Sequence, residues 1–263
     1  MTKFMTKKKS VLSEEETLRY QNQFSLPGFG EIGQEKLKAA CIAVIGAGGL
    51  GSPVLYYLVS MGVGKIKIVD FDIVSLSNLH RQVLHTTKDI GKAKVISAKE
   101  KLELLNPNVQ IEIINEKLEA SNAHDIVKDV DVIIDCCDNF ETRYLVNQIA
   151  INNQKVLCSG SVYQHMGQVV LFSSKDGSPC YQCLYPTEKS SSVIPDNKQV
   201  GVWSPMIGVI GCMQVSLVIN YLLERREYYK FGELIIYNSQ NNSVQKLVCN
   251  KNKNCCACGK KKE

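Results

Sequence analysis

The stretch Ile42-Ala43-Val44-Ile45-Gly46-Ala47-Gly48-Gly49-Leu50-Gly51 decides the fold. Its first four residues, apolar and partly β-branched, read as a buried strand that the glycines then break. A helix is expected next, over Leu50 to Met61, and a second strand over Ile66 to Asp70. Strand, helix and strand in that order make a βαβ unit with parallel strands. Between the first strand and the helix, glycines leave backbone N–H groups bare for close approach, and the helix dipole favours an anion there. Asp70, at the end of the second strand, stands where a carboxylate accepts from a ribose hydroxyl. Gly46, Gly48, Gly49, Gly51 and Asp70 are therefore candidate nucleotide-binding residues. Taken alone, this pattern fits a nicotinamide dinucleotide and an oxidoreductase almost as well as ATP. It also leaves open glycines that serve only a tight turn.

Outward from this unit the alternation continues. Helices are expected over Lys94 to Leu105 and Phe140 to Ile151, and strands near Ile111 to Ile114, Val130 to Ile134 and Val156 to Cys158. Alternating strands and helices imply a parallel sheet with helices on both faces. Beyond Gly160 the text changes to short strands at Gln168 to Phe172, Leu234 to Tyr237 and Ser243 to Val248. A turn-rich segment at Pro186 to Gly201 and one long helix lie among them. The fold class is thus α/β, a Rossmann-like doubly wound and mostly parallel sheet extended by C-terminal antiparallel strands. Upstream, Ser13 to Glu16 fits a capping box opening a short helix, and Gln34 to Ala40 suggests another. Residues 1–16 are taken as a flexible basic tail before a single domain over 17–259. Within it, about 17–160 holds the nucleotide-binding pattern, and the remainder covers about 161–259.

A chain of 263 residues with 44% hydrophobic and 22% charged residues is an ordinary globular protein. Much of the modest net charge of +5 falls in lysines near the ends, Lys7 to Lys9 and Lys260 to Lys262, so no nucleic-acid partner is expected. The segment Val202 to Leu223 has no charged residue and is long enough to span a membrane. Ser204, Pro205, Gly208, Gly211, Gln214 and Asn220 interrupt it, which favours a buried helix at an interface and no membrane partner. The first residues carry charge without the apolar core of a secretory signal, so a cytoplasmic protein is expected. Its 11 cysteines then read as metal ligands, buried apolar groups or reactive thiols before disulfides.

Two constellations carry chemistry. Asp70-Phe71-Asp72 leads into Asn78-Leu79-His80-Arg81-Gln82 and then Gly91-Lys92-Ala93-Lys94, a polar cluster immediately after the ribose position. Arg81 is one of only 5 arginines against 26 lysines, which suggests that a forked, permanent charge is wanted there. Lys94 by itself reads first as an exposed helix lysine. Cys180-Tyr-Gln-Cys183 and Cys255-Cys256-Ala-Cys258 each place two residues between thiolates, so that two pairs can complete a tetrahedral Cys₄ zinc site. Because 71 residues separate Cys183 from Cys255, unrelated surface thiols remain an alternative. Cys255 is preferred to Cys256 because it keeps the two-residue spacing.

The runs GAGGLGSP, VDFDIVSLSNLHRQ, GKAK, DCCDNFETR, CYQC, VGVWSPMIGVIG and CCACG, in that order, resemble the MoeB and ThiF family, bacterial relatives of the ubiquitin-activating enzymes. The likeness covers roughly residues 17–259. It implies an enzyme that adenylates the C-terminal Gly-Gly carboxylate of a ubiquitin-like sulfur-carrier protein, for molybdopterin or thiamine biosynthesis. ATP, Mg²⁺ and a structural Zn²⁺ are the implied cofactors, and a homodimer and a separate sulfur donor protein are the implied partners. By the same resemblance the glycine loop binds ATP, Asp70 holds the ribose, and Asn78, Arg81 and Lys94 face the phosphates. Asp138 stands near the metal and the α-phosphate, which makes Arg81, Lys94 and Asp138 the candidate catalytic residues. A helix N-cap before Phe140 is the plainer reading of Asp138. Cys180, Cys183, Cys255 and Cys258 are the implied metal ligands.

Two departures stand out. Asn197 falls where many relatives carry a loop cysteine, which favours adenylation without covalent transfer to that loop. The family's Arg-Tyr-x-Arg-Gln here reads Arg19-Tyr20-Gln21-Asn22-Gln23, so the arginine that reaches the partner subunit's ATP is absent, with Arg19 a possible replacement. Rival readings are a tRNA-modifying cyclodehydratase of the same superfamily, whose members typically lack the cysteine pairs, and a non-catalytic carrier-binding homologue.

Overall fold

The computed structural model describes residues 11–174, 177–186 and 201–259. Asn197, most of the turn-rich segment and the terminal lysine runs lie outside these residues. Helix α1 (Glu14–Phe24) opens on a reciprocal cap: Ser13 Oγ accepts from the Glu16 N–H, and a Glu16 carboxylate oxygen accepts from the Ser13 N–H. The helix thus begins inside the segment read as a tail, and Leu12 is already buried. Helix α2 (Gly30–Ala39) starts four residues before the position expected from its apolar pattern.

The sheet is built from β1 (Cys41–Ile45), β2 (Lys65–Val69), β3 (Gln110–Ile114), β4 (Val132–Asp135), β5 (Val156–Tyr163), β6 (Met166–Ser173), β7 (Glu233–Asn238) and β8 (Ser243–Val248). Their spatial order is β3-β2-β1-β4-β5-β6-β7-β8. The first five are parallel neighbours, and β6, β7 and β8 extend the sheet antiparallel. The connecting helices are α3 (Gly51–Ser60), α4 (Lys94–Leu105), α5 (Ala120–Val127), α6 (Phe140–Asn152), α7 (Tyr181–Leu184) and α8 (Ser204–Leu222). Helix α5 has no counterpart in the sequence reading. It is only two turns long and polar on its outer face, so its periodicity is weak.

Alternate strand residues feed two cores, one on each face of the sheet. Ile42, Val44, Ile66, Ile68, Val132 and Ile134 meet Leu55 and Leu58 of α3, Leu102 of α4 and Ile210 and Val218 of α8. Ala43, Ile45, Ile133 and Leu157 meet Ile126 of α5 and Val146 and Ile149 of α6. Helix α8 is long and apolar enough to cross a bilayer, yet half of it is buried in the fold against α3, β5 and β6. Close approach is what that packing requires. A Cβ on Gly160 of β5 would lie 2.4 Å from the buried Gln214 carboxamide of α8, and one on Gly211 would lie 2.5 Å from Pro53 of α3. The β5 strand therefore runs on to Tyr163 through a glycine that its own apolar pattern does not predict.

Candidate active site

Strand order reverses between β1 and β4, since β1 connects outward to β2 and the chain returns on its other side at β4. In an open parallel sheet, loops leaving the strand ends at such a point diverge and leave a crevice. The glycine loop leaves β1 there, Asp70 directly follows β2, and Cys136 to Asp138 leave β4. Gly46 has φ +102°, and a Cβ on it would lie 2.9 Å from the Cys136 carbonyl oxygen, so only glycine closes this turn. Among the described residues, the N–H groups of Gly48, Gly49 and Leu50 donate to no protein acceptor, which leaves them available to an anion.

Asp70 is tied to the loop directly. One carboxylate oxygen accepts from the Ala47 N–H at 2.7 Å, and the other from the Asp72 N–H at 2.8 Å. Burial pushes the Asp70 carboxyl above its ordinary value, against the pull of Lys94 and of these two N–H groups. Lys94, the first residue of α4, is buried, and its Nζ lies 2.8 Å from an Asp72 carboxylate oxygen. The reading of Lys94 as an exposed helix lysine is thus overturned, because α4 begins beneath the β2 loop rather than at the surface.

The turn from Leu76 to His85 folds over the glycine loop. Asn78 ends a short 3-10 turn, and its carbonyl accepts from the N–H groups of Arg81 and Gln82. Arg81 Cγ lies 4.0 Å, and Gln82 Nε2 3.2 Å, from where Cβ atoms on Gly49 and Gly48 would stand. His85 is buried and holds the Ala47 carbonyl through Nε2 at 2.9 Å and Ser97 Oγ through Nδ1 at 2.8 Å. Burial keeps its imidazole below the ordinary value. Gln82 and His85 were not singled out in the sequence, where single polar residues in a turn carry no period. Gln82 Oε1 is buried without a hydrogen-bond partner in the described fold, a polar group that a ligand at the loop can satisfy.

Asp138 stands exposed at the end of β4, with Asn139 Nδ2 at 3.5 Å. It does not cap α6. Asn139 does, its side chain accepting from the Thr142 N–H at 2.8 Å, which corrects the N-cap reading and leaves the Asp138 carboxylate outward. Beneath it, Arg143 and Asp135 form a buried pair at 3.0 Å, and Arg143 also donates to the Gly160 and Cys137 carbonyls. Gln214 Nε2 donates to the Asp135 carbonyl at 2.9 Å. The loop carrying Asp138 is therefore held from below by groups that the sequence reading did not assign. Burial would lower the Arg143 pKa, but the Asp135 carboxylate outweighs it and the guanidinium stays charged.

Arg19 donates to the Leu105 carbonyl at 3.0 Å and pairs with Glu15 at 3.1 Å. It is occupied at the C-terminus of α4 in its own chain, which argues against its standing in for the absent arginine. Asn22 is exposed on α1.

Far along the sheet, the sulfurs of Cys180, Cys183, Cys255 and Cys258 all lie within 4.8 Å of one another. The separations are 3.9 Å for Cys180–Cys183, 3.7 Å for Cys180–Cys255 and 3.4 Å for Cys183–Cys258. Four thiolates around a tetrahedral zinc, at about 2.3 Å each, stand about 3.8 Å apart, so this set fits that metal. Burial opposes ionisation of Cys255, but the N–H groups of Cys258 and Ala257 outweigh it and draw the thiol below its ordinary value. Cys256 is exposed and lies outside the cluster.

The chain matches the ThiF family over residues 20–258. It is 40% identical over 251 residues to the sulfur carrier protein adenylyltransferase of Thermus thermophilus, covering 94% of this chain and 92% of that one. It is 36% identical over 241 residues to the SAMP-activating enzyme E1 of Haloferax volcanii, covering 92% and 88%. Against the adenylyltransferase and sulfurtransferase MOCS3 of Anopheles gambiae it is 38% identical over 94% of its length, but spans only 55% of that relative. Among solved structures, E. coli MccB with ATP shares the fold at TM-score 0.81 and 21% identity, covering 96% of this chain and 77% of that one. PaaA does so at TM-score 0.79 and 22% identity, covering 96% and 79%. With most of its length matched, the chain belongs to the ThiF family.

Proposed function

We propose that the protein is an adenylyltransferase that condenses ATP with the C-terminal Gly-Gly carboxylate of a ubiquitin-like sulfur carrier. The observation that carries this reading is the switch-point crevice, where a glycine loop seated on Asp70 faces Arg81, in a chain 40% identical to a sulfur carrier protein adenylyltransferase.

In the reaction a carboxylate oxygen of the carrier attacks the α-phosphorus, the bond from that phosphorus to its bridging oxygen breaks, and pyrophosphate leaves. A peptide carboxylate is already ionised near pH 7, so no general base is required. The obstacle is the meeting of like charges, which fixed cations and N–H dipoles offset. Arg81, Lys94 and the bare N–H groups of Gly48 and Gly49 supply them, Asn78 stands beside them, and Asp70 orients the ribose. Asp138, exposed at the rim, would hold Mg²⁺, which supplies further neutralisation of phosphate charge. Cys180, Cys183, Cys255 and Cys258 would hold zinc with all four ligands supplied by the protein, which would make it a structural metal.

The finer reading adds a homodimer, a cytoplasmic setting, a separate sulfur donor protein, and service to molybdopterin or thiamine synthesis. Within the chain, about 17–160 bind nucleotide and about 161–259 bind the carrier. Pyrophosphate exchange with purified protein, ATP and each class of Gly-Gly carrier tests this reading. Exchange is expected, and Arg81→Ala should lower it by about 10²-fold or more. Tight NADH binding with indifference to ATP would overturn it. Binding of the carrier without exchange would instead favour a non-catalytic role.

A further inference from the structure

Arg81 is held by a neighbour that none of the roles above uses. Its Nη1 lies 2.8 Å from His80 Nε2 and 3.1 Å from the Ser77 carbonyl oxygen. The other ring nitrogen, His80 Nδ1, lies 3.0 Å from Ser204 Oγ at the start of α8. A guanidinium has donors only and keeps its proton in proteins, so the polarity of the first contact is fixed: Nη1 donates and His80 Nε2 accepts. The accepting nitrogen carries no proton, so the ring proton sits on Nδ1 and is donated to Ser204. Arg81, His80 and Ser204 therefore form a directed chain of hydrogen bonds.

This chain has a consequence for the arginine. Both hydrogens of Nη1 are engaged, one by Ser77 and one by His80, while Nη2 and Nε have no partner among the described residues. The two free nitrogens form the edge of the fork that matches two oxygens of a phosphate. Helix α8 is itself seated on the glycine loop, with Ile207 3.1 Å from where a Cβ on Gly49 would stand. A link from Arg81 through His80 to Ser204 thus refers the guanidinium to the same helix that packs on the phosphate loop.

We propose that His80 is a positioning residue: as the Nδ1–H tautomer it holds Arg81 by Nη1, so that the Nη2 and Nε edge faces the polyphosphate. This rests on the reading of Arg81 as a phosphate-binding residue. Glutamine can replace the ring in this role, because its carbonyl accepts and its amide donates in the same order, whereas alanine can do neither.

Two measurements test the proposal. The first compares the affinity of the full chain, with magnesium present, for ATP and for AMP in His80→Gln, His80→Ala and Arg81→Ala. His80→Ala should weaken ATP by about tenfold, the effect of one mispositioned charge-assisted hydrogen bond, and leave AMP unchanged. His80→Gln should restore ATP binding to within about twofold of the parent on that scale. The second is ¹⁵N spectroscopy of the imidazole nitrogens in the unmutated protein, where His80 should carry its proton on Nδ1. Unchanged ATP binding in His80→Ala alongside weakened binding in Arg81→Ala overturns the role of His80 and keeps that of Arg81. Unchanged binding in Arg81→Ala overturns both. A proton found on Nε2 overturns the proposal without any variant.

Discussion

Asn22 and Arg19 lie one helical turn apart on α1, yet among the described residues only Arg19 has fixed side-chain partners. It ends on the Leu105 carbonyl, where a cation complements the C-terminal end of α4. Removing it should cost less than about 1 kcal/mol, as for other half-exposed ion pairs. It should leave pyrophosphate exchange unchanged. On the proposed dimer Asn22 faces the partner's nucleotide with a neutral amide, so Asn22→Arg should raise exchange by about tenfold, short of the roughly 10³ of an evolved arginine finger. Exchange at saturating carrier decides both outcomes, and a large loss in Arg19→Ala would show that the charge has been relocated after all. At this scale the glycines and Asp70 were legible because backbone approach permits few residue types. Gln82, His85 and the Asp135–Arg143 pair were not, since what defines them is the group each meets across the fold.

The short turn Thr87–Asp89 joins the site to α4 through a carboxylate. Asp89 accepts from the Thr86 N–H and hydroxyl at 2.7 Å and from Lys101 of α4 at 2.5 Å. Burial alone would raise its carboxyl, but Lys101 and Thr86 prevail and hold it well below the ordinary carboxylate range. A carboxyl lowered on folding stabilises the native state above its unfolded value, and that contribution fades as pH falls toward the folded value. Asp89→Asn should therefore lower unfolding free energy at neutral pH, with the deficit shrinking below about pH 4, the ordinary carboxylate value. Urea unfolding of both proteins at neutral pH and near pH 3 reads this out, and a deficit independent of pH would refute it. Elements with long apolar periods, β1, β2, α3 and α4, could be read from the sequence nearly to the residue. Helix α5 and the second half of β5 could not. The former is two turns of mixed polarity, and the latter passes through Gly160, whose reason lies on α8.

At the scale of the molecule, the cysteine cluster joins α7 to the last described residues of the chain, across a stretch that includes α8, β7 and β8. A metal there would tie Cys255 and Cys258 back to α7. One zinc per chain is expected on metal analysis, and Cys183→Ser should lose it and unfold at lower denaturant while keeping ATP contacts, because the crevice lies at the other end of the parallel strands. Fully folded, zinc-free protein would refute this. What the sequence determined by itself was everything local: an apolar run before a glycine turn, a helix behind it, the doubly wound class that follows from their alternation, and thiols spaced to share a metal. These depend on residues close in the chain, whose periods and steric limits are the same in any fold. Only the tertiary structure decided which polar groups meet. It made Asn139 rather than Asp138 the cap of α6, buried Lys94 against Asp72, set Gln214 under the β4 loop and turned His80 toward Arg81. Each of those pairings joins residues through space, and a hydrogen bond is chosen by the distance and lone pairs available there, which sequence spacing does not encode.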